Sequence, residues 1–206
     1  MPGIRYPPRS EIDRILPILM AKRIFARVEE PPELKLVHLW ALASDDTADQ
    51  HLAWLPVDLD VAADGPSPIL RAAEQLSLQS PTRLWGFGLA YCSVGELFLG
   101  PEGPPQDAVH AAYEGRLRER HTADDICAAT IFDARGRAFN CAIYTHMPEL
   151  GPTNWDDNTL KAAKQTQTWI RHFHLGVISA HVWVAALALD PDRNRNLLKR
   201  LIQHTS

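Results

Sequence analysis

Three cysteines, Cys92, Cys127 and Cys141, and nine histidines give this chain its widest chemical reach. A cysteine nucleophile needs a neighbouring base and a lowered pKa. Cys92 stands late in an apolar stretch, just ahead of Ser93-Val94-Gly95-Glu96. His146, with Asp156 downstream, supplies the imidazole and carboxylate that a hydrolase would set beside it. Cys92, His146 and Asp156 are therefore the candidate catalytic set. The structural alternative is that these thiols are buried and serve as small hydrophobes. His172, His174 and His181 form the densest histidine group. His172 and His174 are two apart, so on a helix they project in different directions and do not chelate together. A metal-dependent enzyme would have to fold His174 and His181 back onto a cysteine. In a last helical turn such residues instead complement the helix dipole. Asp58 and Asp60 share one strand face, with Asp64 just beyond. That spacing suits a divalent cation, and equally an acidic solvent face on an edge strand.

Common signatures are missing. There is no Gly-x-x-x-x-Gly-Lys-Ser/Thr phosphate loop and no Gly-x-Gly-x-x-Gly, since Gly86 and Gly88 lack the third glycine in place. His-Glu-x-x-His, Cys-x-x-Cys and Gly-x-Ser-x-Gly are also missing. No cofactor and no metal is expected.

Charge is unevenly placed. The chain carries a net charge of −4, yet residues 41–110 alone hold ten acids and two bases, a net of −8, leaving +4 for the rest. Lys161, Lys164, Thr168 and Arg171 make a polar stripe on a predicted helix, with Trp155 and Trp169 as aromatic anchors. Arg193, Arg195, Lys199 and Arg200 add a second basic helix. These cations suit the acidic stretch of a second copy, or another acidic protein. A homodimer is the expected state. A chain with more acids than bases is not a bulk nucleic-acid binder. A nucleic-acid function would rest on the basic helices alone and show steep salt dependence. Trp85 and Trp183 read as core or interface anchors.

Composition frames these groups. With 206 residues, 46% hydrophobic and 22% charged, the chain suits a single α+β domain, residues 1–206, with residues 1–9 as a poorly ordered tail. Three cysteines argue against a disulfide scaffold and for a reducing compartment. Residues 1–10 have no apolar signal core. Val177–Leu189, the longest apolar stretch, is too short to span a bilayer. The cytoplasm is the expected location, without membrane contact.

The elements that must position these residues follow from local pattern. Ser10 caps a helix over Glu11–Arg27, with Ile12, Ile15, Leu16, Leu19 and Ile24 on its apolar side; Pro17 threatens a kink. Leu34–Ala43 and His51–Val61 read as strands, and Pro56 puts the second at an edge or bulge. Ser67 caps a helix over Pro68–Leu78, Thr82–Val94 is an aromatic-rich strand, and Gln106–His121 is a helix. Ile126–Phe132 and Arg137–Tyr144 form a hairpin around Asp133-Ala134-Arg135-Gly136, a type I turn with Gly136 in the left-handed bulge position. Its register places Cys127, Ala129, Ile131, Phe139, Cys141 and Ile143 on one face. Thr130, Phe132, Asn140, Tyr144 and His146 take the other. Trp155–Leu175 reads as a long helix, Val177–Leu189 as a strand or a buried helix, its β-branched start and the bounding Gly176 and Asp190-Pro191 favouring strand, and a last helix capped by Asp190 or Asp192 runs to about His204. The expected fold is α+β, with a mostly antiparallel sheet of about five or six strands packed by amphipathic helices.

Two resemblances complete the reading. Tyr144-Thr145-His146-Met147-Pro148, with Asp156 and Asp157 downstream, loosely resembles the metal-binding run of JAMM metalloproteases. Tyr144 stands where that motif needs a histidine and its serine is missing, so one imidazole is left for a three-ligand site. The stretch Trp85–Tyr91 through Ile126–Tyr144 resembles uncharacterised proteins of GC-rich actinobacteria in its aromatic strand and hairpin. That likeness covers about a third of the chain and implies no activity. The leading expectation is a non-catalytic, cytoplasmic, self-associating interaction or regulatory module. The rival is the hydrolase or metal-dependent enzyme built on Cys92 and His146 or on His174 and His181.

Overall fold

A computed structural model of the chain describes residues 4–29, 37–44, 51–54, 65–79, 83–96, 105–114, 116–144, 153–157 and 177–203. Strands β1 (His38–Ser44), β2 (His51–Trp54), β3 (Arg83–Gly95), β4 (Asp124–Asp133), β5 (Ala138–Tyr144) and β6 (Thr153–Asp157) join in the order β2-β1-β3-β4-β5-β6. Every neighbouring pair is antiparallel. Helices α1 (Arg9–Glu29), α2 (Ser67–Gln79), α3 (Gln106–Tyr113), α4 (Val177–Ala188) and α5 (Pro191–Gln203) complete the α+β architecture. The four inner strands carry the sheet's described core side chains, and β2 and β6 lie outside them.

The β4–β5 hairpin forms as its turn residues dictate. The Asp133 N–H donates to the Arg137 carbonyl (3.0 Å), and the Gly136 N–H to the Asp133 carbonyl (2.9 Å). Gly136 has φ +81°, which a residue with a side chain rarely adopts. The register that follows pairs Cys127 with Ile143, Ala129 with Cys141 and Ile131 with Phe139. These six residues do share a face, and it packs against Ile12, Ile15, Leu16, Leu19 and Met20 of α1. Ile24 departs from the expected stripe: it is exposed, and Arg23 takes the buried position. Pro17 costs α1 one backbone hydrogen bond, but the helix runs through it unbroken.

The opposite face is buried as well. Phe87, Leu89, Tyr91, Ala128, Phe132, Ala142 and Tyr144 lie under α2 and α4, with Leu197 and Leu198 of α5 packed beside them. Two of the polar residues buried here pair across the hairpin, the Thr130 hydroxyl donating to Asn140 Oδ1 at 2.8 Å. A bulge between β1 and β3 redirects Trp85. Leu42 lies opposite Gly86 but Ala43 opposite Leu84, so Trp85 is the extra residue. Its indole packs on the α1 side, although Phe87, two residues on, faces α4.

Several expectations need correction. Val177–Leu189 is not a strand; residues 177–188 form α4. A continuous apolar run does not reveal its period, and this one has room for a helix with apolar residues on every side, Ala180, Ala185 and Ala186 lying fully buried. Trp155 does not begin a helix. It lies in β6 opposite Asn140 of β5, because a hairpin strand with an open side gains a ladder of hydrogen bonds by pairing again. The helix expected over Gln106–His121 stops at Tyr113, ahead of Gly115, and a 3-10 turn follows at Leu117–Glu119. Residues 4–8, assigned to a disordered tail, run beside the core with Ile4 and Tyr6 packed on it. The Arg5 carbonyl accepts a bond from the Ser44 hydroxyl at 2.9 Å. Residues 30–36, 55–64 and 158–176, with the chain breaks and alternations expected there, lie outside the described residues.

The hairpin tip is tied to the helical layer. Asp190 caps α5, its Oδ1 accepting from the Arg193 N–H at 3.4 Å. Buried Asn194 then donates from Nδ2 to the Ala134 carbonyl (2.7 Å) and the Leu187 carbonyl (2.9 Å). Trp183 Nε1 donates to the Gly136 carbonyl at 3.2 Å. An Asn194→Ala variant leaves two buried carbonyls short of a donor. Thermal or urea denaturation is expected to show a loss of about 1–3 kcal/mol, whereas Lys199→Ala, at an exposed position of the same helix, is expected to be within ~0.5 kcal/mol of the parent.

Candidate functional site

All three cysteines fall on the sheet face that meets α1. Cys141 belongs to that core and Cys127 packs against it. Cys92 lies directly opposite Cys127 in the β3–β4 ladder. Local pattern explains each placement separately. Cys92 is in phase with Ala90, and Cys127 with Ala129 and Ile131.

The ladder geometry brings Cys92 and Cys127 closer than strand pairing alone requires. The Ala134 N–H donates to the Trp85 carbonyl at 2.8 Å. In an antiparallel ladder that bond flanks a non-hydrogen-bonded pair, here Gly86 and Asp133. The β3–β4 register continues without a shift to Gly95 opposite Asp124. Alternate pairs are of the same kind, so Cys92–Cys127 is also non-hydrogen-bonded. Such pairs hold their α-carbons about 4.5 Å apart and their side chains closest. The two Sγ atoms lie 2.6 Å apart. Both side chains are half-buried, whereas Cys141 is fully buried. Burial, and then the Asp13 carboxylate of α1, pushes the Cys141 thiol up to about 11. That thiol stays protonated at neutral pH.

The other proposed catalytic groups do not converge on Cys92. Asp156 lies on β6 opposite Phe139, and that line across the sheet continues through Ile131 to Gly88. Three strand spacings of about 4.8 Å and four residues of about 3.4 Å separate Asp156 from Cys92, too far for one catalytic hydrogen-bonded set. His146 lies outside the described residues, as do Asp58, Asp60, Asp64, Lys161, Lys164, Thr168, Trp169, Arg171, His172 and His174. His181 is on α4, which packs on the face away from the thiols, so the sheet stands between it and any cysteine. Burial lowers its imidazole pKa and favours the neutral form. Among the described residues, no group of three or more His, Cys, Asp or Glu side chains is placed to hold a metal ion. On α5, Arg195 pairs with Asp192 at 2.7 Å, and Arg193 and Lys199 are exposed.

An ion network closes the end of the ladder beyond Cys92. Arg120 donates from Nε to Glu96 at 2.7 Å and from a terminal nitrogen to Asp107 at 2.6 Å. The Thr122 hydroxyl also bonds Glu96. Burial pushes the Glu96 carboxyl up, but the bonds from Arg120 and Thr122 and the Arg120 charge outweigh it, and its pKa is lowered. This pairing fastens the segment between α3 and β4 to the end of β3. Sequence reading offered no sign of it, because the partners lie 24 and 13 residues apart.

No protein-family model, curated protein or solved structure matches the chain. Among the described residues, no helix is long and apolar enough to cross a membrane.

Two expectations follow. Labelling of the native reduced protein with a maleimide, which alkylates thiols and cannot exchange, is expected to modify Cys92 and Cys127, and Cys141 only after denaturation. A native count of all three thiols would contradict the burial. The second concerns pH. Glu96 has a folded pKa below its unfolded one, so its contribution to stability is complete above the usual carboxylate range and is lost as pH falls through the folded value. In Arg120→Met, burial and the Asp107 charge outweigh the remaining Thr122 bond, and the sign reverses. The urea midpoint of the variant is expected to lie below that of the parent at pH 7, with the gap narrowing toward pH 4.

Proposed function

We propose that this chain is a non-catalytic cytoplasmic interaction module that self-associates through the β2 edge of its sheet. The observation that carries the reading is the open sheet. β2 and β6 are its outer strands, and among the described residues neither pairs with a further one. An unpaired edge presents N–H and C=O groups to another strand. The two edges differ in sequence. β6 reads Thr153-Asn154-Trp155-Asp156-Asp157 and ends in two carboxylates, while β2 reads His51-Leu52-Ala53-Trp54 and carries no acid. Charge on an edge discourages pairing, so β2 is the edge that accepts a second copy. Antiparallel pairing of β2 with β2 makes an isologous dimer with one continuous sheet, and its two-fold symmetry closes the assembly.

The acids that flank β2 give the reading a signature. Asp45, Asp46 and Asp49 precede the strand, and Asp58 and Asp60 follow it. Two copies joined there bring like charges together, so added salt relieves repulsion. Sedimentation or light scattering over a concentration series is expected to show a dimer that strengthens between low and moderate salt. Ala53→Lys is expected to shift the protein to monomer with an unchanged circular dichroism spectrum. A dimer that weakens with salt would instead favour the acidic stretch of one copy meeting the basic segments of another. A monomer under all conditions would end the proposal.

A further inference from the structure

We infer that Cys92 and Cys127 form a reversible dithiol–disulfide site that takes oxidising equivalents from low-molecular-mass disulfides. Three observations carry this. The residues are directly opposite in an unshifted ladder. Backbone bonding places them in a non-hydrogen-bonded pair, where the α-carbon spacing of about 4.5 Å falls within the range a disulfide spans. Their Sγ atoms already touch, at 2.6 Å, and both are partly open to solvent.

The third cysteine cannot substitute. Cys141 lies opposite Ala129, diagonal to Cys127. Diagonal neighbours across a sheet are about 7–8 Å apart, beyond the reach of a disulfide. The site is therefore a defined pair with one spectator thiol.

The chemistry is thiol–disulfide exchange in two steps. One protein thiolate attacks a sulfur of the small disulfide; that S–S bond breaks, a protein–small-molecule S–S bond forms, and the first small thiolate leaves and takes up a proton. The neighbouring protein thiol loses its proton and attacks the protein sulfur of the mixed disulfide. The Sγ–Sγ bond forms and the second small thiolate leaves and is protonated. Two protein thiols are oxidised, one small disulfide is reduced to two thiols, and protons balance. Excess small thiol runs the steps backward. The spacing of about 4.5 Å usual for such pairs is shorter than the most common disulfide spacing of about 5.5–6 Å, and departures from usual geometry make a disulfide more reducible. Such a bond suits a compartment whose disulfides are transient.

The test exposes reduced full-length protein to glutathione disulfide. The reaction is quenched with acid, the protein alkylated in denaturant, and its peptides mapped by mass spectrometry. The expected product has lost two of its three alkylatable thiols. It yields a peptide pair linked through Cys92 and Cys127, with Cys141 alkylated, and glutathione restores all three. Cys141→Ser is expected to close the same bond. Cys92→Ser is expected to stop with glutathione on Cys127, and Cys127→Ser with glutathione on Cys92. The wild-type map stands by itself should either variant fail to fold. Glutathione on both Cys92 and Cys127 of one chain, a link through Cys141, a link between two chains, or three thiols that all stay alkylatable overturns the inference.

Discussion

The Asp133 carboxylate is fully buried at the tip of the β4–β5 hairpin, and a buried carboxylate is costly unless donors surround it. Asp133 Oδ1 accepts the N–H groups of Arg135 (2.9 Å) and Arg137 (3.0 Å), and Oδ2 accepts from Arg135 Nε at 2.8 Å. These bonds form because the chain reverses over Ala134, Arg135 and Gly136. The turn therefore fixes which residue of β4 faces which residue of β5. A slip of one residue would turn the whole hairpin inside out. The two layers of helices depend on that register, since α1 packs on one set of alternate residues and α4 on the other.

The same loop joins the layers. Its carbonyls are taken by Trp183 and Asn194 of the C-terminal helices, and Arg135 stacks over Tyr6 of the N-terminal segment at 4.2 Å. Burial, reinforced by Asp190 and Asp133, raises the Tyr6 phenol pKa and keeps it neutral beside this charged group. At the far end of the ladder, Glu96 and Arg120 perform a related service for the long β3–β4 connection. Polar groups thus hold the two ends, and apolar packing fills the middle. Gly88 shows how close that packing is. A β-carbon there would lie 2.6 Å from Leu19 Cδ1 of α1. The pair Gly86 and Gly88, without meaning as a phosphate loop, is explained by close approach: a β-carbon at Gly86 would collide with the Phe132 carbonyl oxygen.

What the sequence made legible was local. The hairpin, its glycine, the face shared by Cys127 and Cys141, and the α1 stripe all follow from contacts within a few residues or one turn. The misread elements are those whose environment decides them. α4 is apolar all round, so no period marks it as a helix until the sheet face it covers is known. β6 is five residues beside a strand already formed, and its sequence has too few alternations to announce pairing. The candidate site divides the same way. The half involving β4 and β5 could be read from one turn, whereas Cys92 meets Cys127 across 35 residues. The bonds at the two ends of that ladder, Ala134 to Trp85 and Arg120 to Glu96, have no short sequence signature.

One consequence of strand parity is that three cysteines of similar local sequence become chemically different. Cys127 directs its backbone bonds toward Ile143 of β5 and its side chain toward α1, and Cys92 faces it from β3 across a non-hydrogen-bonded position of the ladder. Their sulfurs are brought together by the pleat alone, with no loop or helix dedicated to the task. Cys141, one strand over and displaced by two residues, falls instead under α1 beside Asp13, where burial and a neighbouring carboxylate keep it a thiol. A shift of two residues between β3 and β4 would keep every residue on its own face, yet it would part the sulfurs. Hydrophobic pattern cannot select between those registers. The selection falls to bonds at the ladder's ends, the Ala134 N–H to the Trp85 carbonyl at one and Arg120 to Glu96 at the other, so the thiol pair is held in place by polar contacts that never touch it.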